Sequence, residues 1–225
     1  DAGMHRMMWD MHYDPIGAGG GRGGGAMGAV PHATYPSVNS PWAAPGAYTV
    51  RLTVGGKSYT QPITLKMDPR LRTSGVALAQ LAAFTTEMYD GAKNARGAYE
   101  RARALIAELD KVQGADAEKL KREIAAIAPP PPAGGGGRGG RGGGGRGGAA
   151  APAGPATLES ASNAMNAAAM AMQAADVAPT ANQVAACTKA RGEGSEVLGK
   201  WRTLSTVRLA ALNAKLKSSG QPGVK

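Results

Sequence analysis

The stretch that most constrains this chain is residues 42–70, WAAPGAYTVRLTVGGKSYTQPITLKMDPR. Tyr48, Val50, Leu52 and Val54 alternate with Thr49, Arg51 and Thr53. That two-residue period predicts a strand with one buried face. Gly55-Gly56 stands where the chain must turn back, because glycine takes positive φ without a Cβ clash. Tyr59, Ile63, Leu65 and Met67 predict the return strand, with Thr60, Thr64 and Lys66 on its other side. Pro45-Gly46 and Asp68-Pro69 punctuate the two ends. Pro62 brings no N–H to a ladder, so the return strand is expected at a sheet edge or a bulge.

A hairpin with one apolar face needs a cover. Residues 4–13 (MHRMMWDMHY) supply the one other strand candidate, with Met7, Trp9 and Met11 alternating. Two or three strands make a marginal sheet. The chain therefore reads as the tail of a longer polypeptide, entered partway through a β-domain. The residues expected to form its packing and interaction surface are Trp9, Trp42, Tyr48, Val50, Leu52, Tyr59, Ile63 and Leu65, with Trp201 on the helices.

Helical periodicity begins after Thr73-Ser74, either of which can cap an N-terminus. Leu78, Leu81, Thr85, Met88, Ala92, Ala95, Tyr99, Ala102, Ile106 and Leu109 recur in steps of three and four. This predicts a helix of about 35 residues with a heptad-like stripe. Gly91 and Gly97 inside it each cost about 1 kcal/mol against alanine and are expected to admit a close neighbour. Gly114 is read as its end, and Asp116 opens a shorter helix carrying Leu120, Ile124 and Ile127. A third helix is predicted over residues 157–177, with Leu158, Ala161, Met165, Ala168, Met172 and Ala175 on one face. Thr180 with Gln183 forms a capping-box pattern for a fourth. Val184, Cys187, Leu198, Trp201, Leu212 and Leu216 are its apolar side, and Gly192, Gly194 and Gly199 predict a bend or break near its middle.

Glycine is concentrated in two tracts, residues 17–28 and 133–155. Neither can bury apolar surface; the second, with the prolines before it, reads as a linker. The organisation is thus a β-domain over 1–70 with a glycine-rich loop over 14–40, a helical hairpin over 71–128, a linker over 129–156 and a second helical pair over 157–225. The expected fold class is α+β: a partial antiparallel β-domain followed by an antiparallel α-helical bundle.

The formal charge is +10, from 26 Lys and Arg against 16 Asp and Glu. Four arginines (Arg22, Arg138, Arg141, Arg146) lie in the glycine tracts and the rest are scattered. Scattered basic residues describe a solvated surface, and the GGRGG repeats lack aromatics for base stacking. Nucleic acid is accordingly not the expected partner. Cys187 is alone, so an intrachain disulfide is excluded. Gly55-Gly56-Lys57-Ser58 lacks the upstream glycine and the following helix of a phosphate-binding loop. His5, His12 and His32, the carboxylates and the serines form no catalytic, metal or cofactor pattern. No run is apolar and long enough to cross a bilayer.

The phrases MMWDMHYDP, APGAYTVRLTVGGKSYTQPITLKMDPR, APTANQVAA and LAALNAKLKSSG together resemble the C-terminal region of large exported bacterial proteins. Those proteins carry sortilin-like (VPS10/BNR-type) β-propeller repeats and are commonly labelled glycosyl hydrolase-like. Trp9-Asp10, Pro45-Gly46-Ala47-Tyr48, Asp68-Pro69-Arg70 and Leu212-Asn213 stand where that family has its recurring phrases. The resemblance covers most of the chain outside the glycine tracts; the propeller is absent from it, so no family active-site residue carries over. It implies a hairpin belonging to an Ig-like domain similar to the flagellar hook-capping type, and export to the periplasm or cell exterior. The expected role is a non-catalytic accessory or interaction region, packing against the remainder of the parent chain or other subunits, with homo-oligomers allowed. Alternatives are a segment of a glycoside hydrolase with its active site in the propeller, a structural subunit of a surface assembly, or a weak RGG-type nucleic-acid or polyanion binder.

Overall fold

The computed structural model describes Trp9 and residues 11–16, 40–131 and 154–224. It is a mostly helical α+β chain with one two-stranded antiparallel sheet. Strands β1 (Gly46–Val54) and β2 (Lys57–Leu65) form the predicted hairpin. Gly55 and Gly56 take φ of 56° and 77°. Positive φ at both central residues makes the tight turn whose twist matches the flanking strands. The return strand stops at Leu65, two residues short of the expected Met67.

The strand expected over residues 4–13 falls largely outside the described residues. Among those described, His12 alone bridges to Trp42, and Met11 turns the chain with φ of 62°. The glycine-rich loop and the glycine-rich part of the linker lie mostly outside the described residues as well.

Helix α1 (Gly75–Leu109) begins where the serine cap predicts: the Ser74 side chain accepts from the Ala77 N–H. Every stripe residue named from the sequence is buried on it except Leu78, joined by Tyr89, Ala98 and Leu105. The helix ends at Leu109, and Gly114 instead stands at the start of α2 (Ala115–Ile127). On α2, Leu120, Ile124 and Ile127 are buried.

Helix α3 (Leu158–Met172) opens with a Thr157–Ser160 capping box. It ends five residues before the expected Val177, and Ala175 is exposed. Beyond Met172 the backbone tightens into turns, with the Gln173 N–H on the Met170 carbonyl and the Ala174 N–H on the Ala171 carbonyl, while other groups of the segment bond to distant elements. Gln173 holds the Trp42 backbone and the Asp176 carbonyl accepts the Thr73 hydroxyl at 2.6 Å.

Helix α4 (Ala181–Arg202) opens with the expected Thr180–Gln183 capping box. It runs unbroken through Gly192, Gly194 and Gly199, so the break that a bend-or-break reading allows does not fall at these glycines. The irregularity comes later, as a π-helical segment, Thr203–Arg208, before α5 (Leu209–Ser218). There the hydroxyls of Thr203, Ser205 and Thr206 donate to carbonyls three or four residues back. Such back-bonding competes with the α-helical ladder, and the Leu209 N–H reaches the Leu204 carbonyl, five residues back.

Contacts along the helices set their directions. Thr73 meets Asp176, Ala92 meets Ser162 and Arg96 meets Glu159, so α1 and α3 run antiparallel. Tyr99 bonds to Pro129 and Asp110 pairs with Lys121, so α1 and α2 do too. Glu123–Arg208 and Asp116–Lys215 set the register of α2 on the C-terminal helix. These pairs are exposed and contribute about 0–1 kcal/mol each, so they specify alignment more than stability.

Burial holds the helices together, and Met165 is at the point where three of them meet. A Cβ on Gly91 of α1 would lie 2.6 Å from its Sδ, and one on Gly194 of α4 2.9 Å from its Cε. Two glycines on two helices thus make the space that a third helix fills. Gly97, expected to serve the same end, faces only the Arg101 guanidinium, at 3.6 Å.

Met165→Ala should therefore lower unfolding stability by about 2–5 kcal/mol, the range for emptying a buried methionine site. Gly97→Ala should raise it by up to about 1 kcal/mol, the helix-propensity difference, because nothing is displaced. Urea denaturation followed by circular dichroism measures both.

Candidate interaction surface

The register of the hairpin decides what its faces display. Tyr48 stands opposite Ile63, Val50 opposite Gln61, Leu52 opposite Tyr59 and Val54 opposite Lys57. All eight lie on one face, since side chains alternate across a strand. No described element covers it: Val50, Leu52, Val54 and Tyr59 remain 51%, 52%, 59% and 59% exposed. Single exposed hydrophobes are ordinary, whereas a contiguous set on one sheet face marks a surface that meets something.

The base of the hairpin is anchored. The Tyr13 N–H donates to the Pro41 carbonyl at 2.9 Å, and the Ala43 N–H to the Met11 carbonyl at 2.7 Å. His12 stacks on Trp42 with centroids 3.7 Å apart, and Trp9 meets the Tyr48 ring edge-on at 5.8 Å. The Gln173 amide, at the end of α3, then clasps the Trp42 peptide from both sides. Its Oε1 accepts the Trp42 N–H at 2.7 Å, and its Nε2 donates to the Trp42 carbonyl at 3.4 Å. On α1, the Tyr89 hydroxyl donates to the Asp14 carbonyl at 2.7 Å beneath the Tyr13 ring.

Beside this anchor lies a cleft of about 610 Å³ between the hairpin base, α1 and the end of α3. Its walls include Tyr13, Trp42, Leu65, Leu78 and Leu81, with Asp68 and Asp176 among its polar groups. Leu65 belongs to the same sheet face as Ile63 and Tyr48, so an apolar strip runs from the hairpin tip into the cleft. Asp68 is already engaged: the Arg70 guanidinium and N–H hold its carboxyl below the usual carboxylate range.

Titratable groups elsewhere describe a packed interior. Burial pushes the Cys187 thiol up, against the pull of Arg191. A thiol so placed is a small buried hydrophobe with little thiolate character. Burial also raises the Tyr48 and Tyr89 phenols, the latter helped by the charges of Asp14 and Asp90. Among the described residues no group of three or more His, Cys, Asp or Glu could hold a metal ion. None of the described helices is long and apolar enough to cross a membrane.

Of the residues named from the sequence, Tyr48, Val50, Leu52, Tyr59, Ile63 and Leu65 share the hairpin face. Trp9 and Trp42 sit at its base. Trp201 is buried among the helices and belongs to their core. Sequence reasoning missed Tyr13, Tyr89 and Gln173. Tyr13 could have been found by extending the Trp9–Met11 alternation one step; Gln173 carries no local signal. No family model, curated protein or solved structure matches the chain.

Gln173→Leu should free residues 41–43 while the helices persist, raising amide exchange there at least tenfold with far-ultraviolet dichroism unchanged. The Tyr89 phenol supplies a pH test. Its folded-state pKa is raised, so its stabilisation is complete below the usual tyrosine range and is lost as pH rises through the raised value. Trp fluorescence should report loosening of the hairpin base in that alkaline window, and Tyr89→Phe should remove this transition.

Proposed function

We propose that the chain is a non-catalytic C-terminal accessory region of an exported, sortilin-like β-propeller protein. In this reading the hairpin is part of an incomplete Ig-like domain and the helices form an antiparallel bundle behind it. The apolar face of the hairpin docks on the remainder of the parent chain or on another protein subunit. The location that goes with it is the periplasm or the cell exterior, as the family resemblance implies.

The observation that carries the reading is the uncovered sheet face. A two-stranded hairpin is at best marginal alone in water, yet this one presents Val50, Leu52, Val54 and Tyr59 to solvent. Its base, by contrast, is held by hydrogen bonds and stacked rings. A rigid base under an open apolar face suits an element that presents a surface.

The test has two parts. Protein detected in its native source should have a mass well above 22.7 kDa or travel with a stoichiometric partner. Leu52→Asp with Tyr59→Lys, which leaves opposite charges across the ladder, should then abolish that association while changing the stability of the isolated chain by no more than about 0.5 kcal/mol, as for exposed sites. A native protein of 22.7 kDa, monomeric and unaffected by the two substitutions, would overturn the reading.

A further inference from the structure

Both long helical runs meet the two shorter helices in the same order. Along α1, Gly91 faces Met165, the Ala92 carbonyl accepts the Ser162 hydroxyl and Arg96 pairs with Glu159. Farther along, Tyr99 bonds to Pro129 and Asp110 pairs with Lys121. Along α4 and its continuation into α5, Gly194 faces Met165, Arg208 pairs with Glu123 and Lys215 with Asp116. Each run thus follows α3 backwards from Met165 and then α2 backwards from its end. At the changeover the two short helices are tied to the same few residues of α1. The Tyr99 hydroxyl donates to the Pro129 carbonyl at 2.9 Å and the Arg103 guanidinium to the Ala128 carbonyl at 3.4 Å. The Arg96 guanidinium lies over the Tyr99 ring, 5.3 Å from its centroid, and stands 3.8 Å from the Glu159 carboxylate. Ala128 and Leu158 are fully buried there, and buried Trp201, midway between Gly194 and Arg208, stands at the same height.

Arg96 to Arg103 is about 10 Å of helix axis, a gap that about three or four residues close. The chain places 129–156 there, a stretch able to reach about 90 Å when extended. We infer that α2 and α3 are two lengths of one helical layer laid end to end, and that residues 130–156 are an insertion at their junction which the fold does not need. Without them, Pro129 still offers its carbonyl to Tyr99, and Thr157 still caps α3. Arg96, Tyr99, Arg103 and Trp201 then close the junction. This differs from a linker that spaces two helical pairs, because nothing is left for it to space. The junction lies about 27 Å along α1 from Leu81, which walls the cleft at the hairpin base. The insertion's only charged residues are Arg138, Arg141 and Arg146. Whatever these arginines meet is therefore separable from docking by the apolar face, and the inference does not rest on that reading.

Replacing residues 130–156 by Gly-Ser-Gly-Ser leaves Pro129 and Thr157 a span of about 17 Å. That closes an end-to-end junction. It is too short for α2 and α3 lying side by side, where the connection must run back about 20 Å, the length of α2. The shortened chain should sediment as a monomer, with a urea midpoint at or above that of the full chain, because a shorter loop costs less closure entropy. Amide protection at residues 41–43 should be unchanged, since Gln173 still holds Trp42. A replacement twice as long should behave the same. A chain that folds with the longer replacement and not the shorter overturns the end-to-end placement, as does a dimer that exchanges α3 between copies. A chain that folds with neither, or whose midpoint falls with both, overturns the insertion by showing that the fold requires residues 130–156.

Discussion

Met165 on α3, seated between Gly91 of α1 and Gly194 of α4, is the contact on which the helical part depends. This chain has few aromatics, and its helices meet mostly through alanine, leucine and methionine. Small side chains bury little area each, so the helices gain stability only by approaching closely enough for many atoms to touch. Two glycines on separate helices permit that approach, and an unbranched thioether fills the space they leave. The buried Ser162 hydroxyl, donating to the Ala92 carbonyl at 2.9 Å, lies within the same seam. Alanine at 92, 95, 98 and 102 of α1 continues it.

The end of α3 links that seam to the sheet. Because the side chain of Gln173, the C-cap of α3, holds the Trp42 backbone, the hairpin base has a fixed position relative to α1 and α3. Tyr89 adds a second hold through Asp14. Beyond this base no other described strand pairs with the two. An anchored base under a face that no other described part of the chain covers sets the hairpin apart from the packed helices.

The C-terminal end shows the same economy. Asn213, in the Leu212-Asn213 phrase, brackets the Val224 peptide: its Nδ2 donates to the Val224 carbonyl and its Oδ1 accepts the Val224 N–H, both at 2.8 Å. A side-chain amide that matches a peptide group fixes the final residues against α5 without an ion pair. Asn213 and Gln173 play the same part at opposite ends of the helices, and both act through geometry that spacing alone does not display.

What the sequence determined by itself is local. Alternation in 48–54 and 59–65, the Gly55-Gly56 turn, the Ser74 cap and the Thr180–Gln183 box are settled by residues a few positions apart. The α1 stripe is legible for the same reason, since a single helix period selects one face. The tertiary structure decided what the end of α3 holds, what the glycines accommodate and where the C-terminal helix departs from α geometry. The Gln173 side chain, at the end of α3, finds its partner 131 residues away. Gly194 is a seat for Met165 and not a hinge. Whether a glycine bends a helix or admits a neighbour depends on what stands opposite it, and that is a property of the packed chain. The hairpin face lies between these cases: the alternation marks it as apolar, but only the packing shows that no other described part of the chain covers it.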